Sequence, residues 1–256
     1  MLIDRRRSCA FRGRTCVIVL AALTLLAGCA SGAPGGNNPG GLGSSGETPG
    51  ATNPPSGRQV GTPPAGDVAS HLAAGDAALD GSDLATAERE YRDASRLDPA
   101  SAKAQFGLGN VYVRQGKFPE AETAYKAAVA LDPRSAASYA NLAVTYYQMD
   151  KLQQAAGALE SALRIEPDDA QTLYLMGAVR LQLGDLATSE QYLLKARESD
   201  PNLPEVYYGL GALYKVKGQK QEAIAAFEKF LAIGPGQDAA AVKHAQQELD
   251  ELRQQQ

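Results

Sequence analysis

The sequence predicts an all-α protein, a solenoid of five helix pairs closed by a C-terminal capping helix. Three observations carry that expectation. Prolines recur every 34 residues, at Pro99, Pro133, Pro167, Pro201 and Pro235. With this proline set as position 32 of each unit, position 8 is always small (Gly75, Gly109, Ala143, Gly177, Gly211), and so is position 20 (Ala87, Ala121, Ala155, Ser189, Ala223). Position 24 is bulky throughout: Tyr91, Tyr125, Leu159, Leu193 and Phe227. A fixed period of this length marks an array whose units bury their apolar faces only against their neighbours. Small residues at 8 and 20 let two helices approach, and the proline stops the second from continuing.

The chain opens on a different kind of segment. Residues 1–28 carry Arg5, Arg6, Arg7, Arg12 and Arg14, followed by the apolar run 16–26 and then Leu26-Ala27-Gly28-Cys29. The run is too short to span roughly 30 Å of hydrocarbon, so it reads as an export signal. The motif at its end resembles the bacterial lipoprotein signal. That resemblance implies acylation of Cys29, cleavage before it and anchoring in a lipid bilayer. Ala30 after the cysteine implies, by the same resemblance, sorting to an outer membrane. Cleavage removes Cys9 and Cys16 and leaves 20 basic and 28 acidic residues. A single cysteine capped by lipid suits an oxidising compartment, where spare thiols mispair.

Residues 29–66 follow as the lipidated Cys and a linker. Within 30–66, 18 of 37 positions are Gly or Pro and only Glu47 and Arg58 are charged. Such a stretch cannot bury enough apolar surface to offset the entropy of ordering it. It is expected to be a disordered tether, with a reach of about 35 Å.

Residues 67–237 hold the five units, 68–101, 102–135, 136–169, 170–203 and 204–237. Gly116, Asp150, Gly184 and Gly218 recur at position 15, between the two helices of a unit. Unit 1 is softened by His71, Ala74 and Ala78 where large apolar residues stand elsewhere, as befits a terminal repeat with nothing outside it. Arg180, at position 11 of unit 4, is the odd interior choice, its stem expected along apolar surface with its head in water. Residues 238–256 read as a capping helix with one narrow apolar stripe, Ala239, Val242, Ala245, Leu249 and Leu252.

In period and in residue type, residues 68–237 resemble the tetratricopeptide repeat. The resemblance implies a right-handed superhelix that binds proteins or peptides in a concave groove lined by the first helix of each repeat. Carried over at positions 2, 5, 9, 12 and 13, the groove residues are Leu72, Asp76, Leu79 and Asp80 in repeat 1, and Lys103, Phe106, Asn110, Val113 and Arg114 in repeat 2. Repeat 3 gives Val144, Tyr147 and Gln148; repeat 4 gives Gln171, Tyr174, Leu181 and Gln182; repeat 5 gives Glu205, Tyr208, Lys215 and Val216. Phe106, Tyr147, Tyr174 and Tyr208 are expected to be exposed there as interface anchors. The Lys/Asn set with which some family members clamp a C-terminal carboxylate is missing.

Catalytic chemistry finds little support. Gly107-Leu108-Gly109 and Gly209-Leu210-Gly211 lack the third glycine, the preceding strand and the Gly-Lys-Ser/Thr of a phosphate loop. No Gly-x-Ser-x-Gly elbow exists, and the two histidines, His71 and His244, stand far apart. No catalytic residue, cofactor or metal site is expected, and the acidic balance argues against nucleic acid. The expected role is a membrane-anchored interaction scaffold of the cell envelope, facing the periplasm, that assists assembly of a pilus or secretion complex. An adaptor for peptidoglycan hydrolases or synthases is the alternative, and an envelope enzyme with a groove site is a second.

Overall fold

The computed structural model describes residues 67–233 and 239–254. The signal, Cys29, the linker and Pro235 lie outside them. Within the described residues there are eleven helices and no strand. They run α1 (Val68–Asp80), α2 (Leu84–Leu97), α3 (Ala102–Arg114), α4 (Phe118–Leu131), α5 (Ala136–Gln148), α6 (Leu152–Ile165), α7 (Ala170–Gln182), α8 (Leu186–Ser199), α9 (Pro204–Val216), α10 (Lys220–Ile233) and α11 (Ala239–Gln254). Each odd helix from α1 to α9 packs on the even helix after it, and each even helix packs on the first helix of the next pair, with α11 against α10. That is a solenoid of five pairs and a cap.

Local chemistry fixes where each helix starts and stops. Asp83, Ser101, Ser135, Asp169 and Asp185 cap α2, α3, α5, α7 and α8, each accepting a hydrogen bond from a backbone N–H three residues on. At the far end of the second helices, Asp98, Asp132, Glu166 and Asp200 are extended, with φ of −130°, −131°, −124° and −139°. The following proline disfavours helical backbone there. The aspartates then serve a second purpose. Asp98, Asp132 and Asp200 accept from the N–H two residues on, at 3.0, 3.0 and 2.9 Å, turning the chain into the next repeat. The periodic Asp-Pro pair is thus a stop and a turn in one.

The turn inside each pair needs a left-handed residue. Ser82, Gly116, Asp150, Gly184 and Gly218 have φ of 61°, 71°, 58°, 80° and 73°. The N–H after each bonds back to a carbonyl five residues earlier, as Lys117 does to Tyr112 at 2.8 Å, closing a Schellman motif. Three repeats place Gly there; Ser82 bears the cost of a side chain in left-handed backbone. Ser82→Gly should stabilise the fold by about 0.5–1 kcal/mol. The check is a melting temperature raised by about 1–4 °C; an unchanged or lowered one would show that the strain is relieved elsewhere.

The core explains the Gly-Leu-Gly sequences. A Cβ on Gly75 would lie 2.8 Å from the Tyr91 ring and one on Gly107 2.4 Å from it, so the ring is seated between its own repeat and the next. Leu193 is held the same way by Gly177 (2.6 Å) and Gly209 (2.9 Å). Gly109 and Gly211 receive Tyr125 and Phe227. In each Gly-Leu-Gly the first glycine accommodates the large residue of the preceding repeat and the second that of its own. Arg180 is half-buried, and its guanidinium bonds Glu160 on α6 at 2.8 Å, so an ion pair as well as water receives the head.

The first helices α1 and α3, α3 and α5, and α7 and α9 approach one another across repeats, whereas no two second helices come as close. The first helices therefore line the shorter, inner surface. Among the described residues no helix is long and apolar enough to cross a membrane.

Candidate functional site

The inner surface begins with two tyrosines that belong to second helices. The Tyr91 hydroxyl donates to Asp76 Oδ1 at 2.6 Å, and the Tyr125 hydroxyl to Asn110 Oδ1 at 2.6 Å. Asp76 and Asn110 both stand at position 9 of their repeats. Where position 24 is Leu or Phe, position 9 is Val144, Ala178 or Ala212. A buried phenol needs an acceptor and a buried Leu does not, so the two positions change together. Asn141 adds a second bond to Asn110 Oδ1, at 3.0 Å. Burial pushes the Tyr91 and Tyr125 hydroxyls far above their ordinary pKa, so they stay protonated donors.

This corrects the expected roles of several inner-face residues. Asn110 is buried as an acceptor for the core, while Asp76 accepts from Tyr91 and remains exposed. Arg114 donates to the Leu79 carbonyl, tying repeat 2 to repeat 1. Phe106 is half-buried, edge-on to Tyr125 with centroids 5.9 Å apart. Val144 is buried. The expectation of exposed aromatic anchors is overturned further along: Tyr147, Tyr174 and Tyr208 are 8%, 1% and 3% exposed. Gln182 donates to the Tyr147 hydroxyl at 2.5 Å. Tyr174 packs against Gly209, whose missing Cβ leaves room for its ring. The physical reason is repeat-to-repeat packing, in which rings at positions 5 and 12 fill the space between adjacent first helices.

At the C-terminal end the cap takes up the remaining predicted groove residues. Tyr208 Oη lies 2.7 Å from His244 Nδ1 on α11. Lys215 bonds Glu248 and also Glu251, the latter at 3.4 Å. The cap therefore supplies polar contacts to the inner face, where the sequence signalled only its apolar stripe. Lys103 is left exposed, with Gln148 and Gln171 partly so, on α3, α5 and α7. Asp76, Asp80 and Val216 are exposed as well, and together these residues make the open part of the surface.

One inner-face group has no partner of the expected kind. Glu205, in the first turn of α9, is 8% exposed, and its Oε2 is buried without a hydrogen bond. Burial raises its pKa, and Asp200 adds to the effect against a lesser pull from its own backbone N–H. Tyr174 sits close enough to feel this carboxylate, along with Tyr147 and Tyr208. The four groups form one neighbourhood across repeats 3 to 5.

Outside this surface, His71, Glu90 and Asp93 bring ligand-type atoms within 4.8 Å of one another, a grouping that the spacing of single residues did not signal. Each carboxylate already has an ionic partner. Glu90 meets His71 at 2.7 Å and Arg89 at 2.8 Å, and Asp93 meets Arg96 at 2.6 Å. Bonds from Arg89 and His71 hold the Glu90 carboxyl below its ordinary pKa. These contacts account for the cluster as ion pairs of a terminal repeat.

Models of the tetratricopeptide repeat match residues 72–136, 108–180, 170–203 and 204–237. Among solved structures, MamA is 28% identical, with a TM-score of 0.57 over 62% of this chain and 93% of that one. PilF of Pseudomonas aeruginosa is 22% identical, with a TM-score of 0.62 over 73% and 89%. YrrB, described as a repeat protein with an unusual peptide-binding site, is 22% identical, with a TM-score of 0.57 over 71% and 92%. The comparison with curated proteins gave no match.

Proposed function

Because residues 72–237 belong to the tetratricopeptide-repeat family, whose members are protein-interaction scaffolds, we propose that this chain is a lipid-anchored scaffold of the bacterial cell envelope. Its inner face receives partner proteins or peptides. The observation that carries the reading is the order of parts: a basic and apolar leader ending in Leu26-Ala27-Gly28-Cys29, a Gly/Pro-rich tether, and a stack of repeats whose first helices line one continuous surface. Similar lipoproteins attend pilus and secretion assembly, and that analogy of architecture supports an assembly role at the outer membrane.

The shape of the surface supports capture of an extended segment rather than catalysis. Its polar groups are set one repeat apart on rigid helices, and most of its aromatic rings are locked in packing, which fixes the floor before a partner arrives. Affinity capture of crosslinked envelope proteins with the full chain tests the reading. The triple variant Lys103→Ala, Gln148→Ala and Gln171→Ala should weaken capture by roughly fivefold or more, about 1 kcal/mol in total. Gln153→Ala and Gln221→Ala, exposed on second helices, should change nothing. Equal capture by the triple variant and the parent would place the interaction on another face. Secretin or pilin among the captured proteins supports the assembly role, and peptidoglycan hydrolases or synthases would replace it.

A further inference from the structure

Position 2 of the repeats is Ala69, Lys103, Ala137, Gln171 and Glu205. Nothing in the repeat demands an acid there. Yet Glu205 lies under cover on the inner face, with Oε2 unbonded and no ion pair reaching it among the described residues. Taking a carboxylate out of water without a counter-charge is costly. Other polar side chains set into this face have found partners, as Asp76 has in Tyr91 and Asn110 in Tyr125 and Asn141. The start of a helix favours negative charge, which accounts for tolerance of Glu205. It does not supply the missing donor. The surroundings also lean one way: Asp200 lies near enough to raise the carboxyl further, and the buried Tyr174 hydroxyl lies near enough to feel it.

We propose that Glu205 is the receptor for an arginine side chain of a peptide segment bound along the inner face at repeats 4 and 5. The inference rests on the scaffold reading given above and names the chemistry of its partner. A guanidinium supplies the donors that Oε2 lacks and can bond a carboxylate through two N–H groups at once. No hydrogen bond occupies Oε2, so a donor arriving at that oxygen displaces none. A cation also suits a carboxylate whose charge Asp200 disfavours, where an acidic segment would add a further negative charge.

The test is a library of capped nonapeptides, randomised except for one position held as Arg, Glu, Leu, Ser or Tyr, screened against the full chain in detergent. The Arg-fixed pools should be enriched at one position. A selected peptide should lose tenfold or more in affinity when its arginine becomes citrulline, an uncharged near-isostere. Glu205→Gln should lose as much for the arginine peptide and little further for the citrulline peptide. The same variant should melt at the same temperature as the parent or higher, since it removes a buried charge. A structural role for Glu205 would instead show as a lower melting temperature with peptide preference intact, and that result overturns the proposal. Selection of peptides with no basic preference also overturns it and leaves the scaffold reading standing. Binding of no peptide from any pool also overturns it, and the capture of envelope proteins then decides the scaffold reading separately.

Discussion

Cys29→Ser should move the protein from the membrane fraction to the soluble fraction. The expectation follows from Leu26-Ala27-Gly28-Cys29 behind a basic and apolar leader and from the absence, among the described residues, of any helix able to cross a bilayer. If the folded repeats reach the membrane only through acyl chains, removing the acylated thiol removes the whole anchor. Each buried CH₂ contributes about 0.8 kcal/mol, so one chain holds marginally and two or more hold firmly. The change is therefore nearly all-or-none. Fractionation after a salt wash, with mass spectrometry of the mature amino terminus, reads it directly. An intact, unlipidated terminus on the native protein would sink the idea, and so would a Ser variant that stays with the membrane.

Tyr125→Ala should give the largest loss of folding stability, about 3–5 kcal/mol. The ring is fully buried, stacks edge-on with Phe106, fills the space left by Gly109, and donates to an asparagine that Asn141 also bonds. Truncation leaves a cavity and removes one of the two donors to Asn110. Against a total of roughly 5–15 kcal/mol for an ordinary domain, this is a large fraction. Because repeats couple chiefly to their neighbours, the damage should be local. Hydrogen exchange should lose protection over α3 to α5 first, while α9 to α11 keep theirs. Tyr125→Phe retains the packing and gives up one hydrogen bond, so about 1 kcal/mol is expected. An Ala variant within 1 kcal/mol of the parent in chemical denaturation would show that the ring is not the wedge its geometry describes.

Much of the architecture was legible in the sequence because it is written in local rules. Proline after a helix forbids its continuation, an Asp before that proline closes the next turn with its own side chain, and position 15 must be left-handed. Each acts within a few residues, so a 34-residue comb of prolines suffices to place ten paired helices in order. The pairing of Tyr91 with Asp76 and of Tyr125 with Asn110 was also present as a covarying pattern at positions 24 and 9. Finding it required asking where a buried phenol sends its proton.

The inner face is a different matter. Position in a repeat indicates which way a side chain points, but not what already occupies that space. Tyr174 is fully covered because Gly209, 35 residues later, leaves room for it to pack. Tyr208 and Lys215 are engaged because α11 brings His244, Glu248 and Glu251 against them. Glu205 looked like one more polar groove residue in the sequence, and only its neighbours reveal it as a buried carboxylate with one oxygen lacking a donor. The sequence by itself determined the repeat, its pairing and its cap, since these follow from backbone preferences and side-chain size over short range. The tertiary structure alone decided which inner-face groups remain available, because burial and hydrogen-bond satisfaction are set by atoms from adjacent repeats.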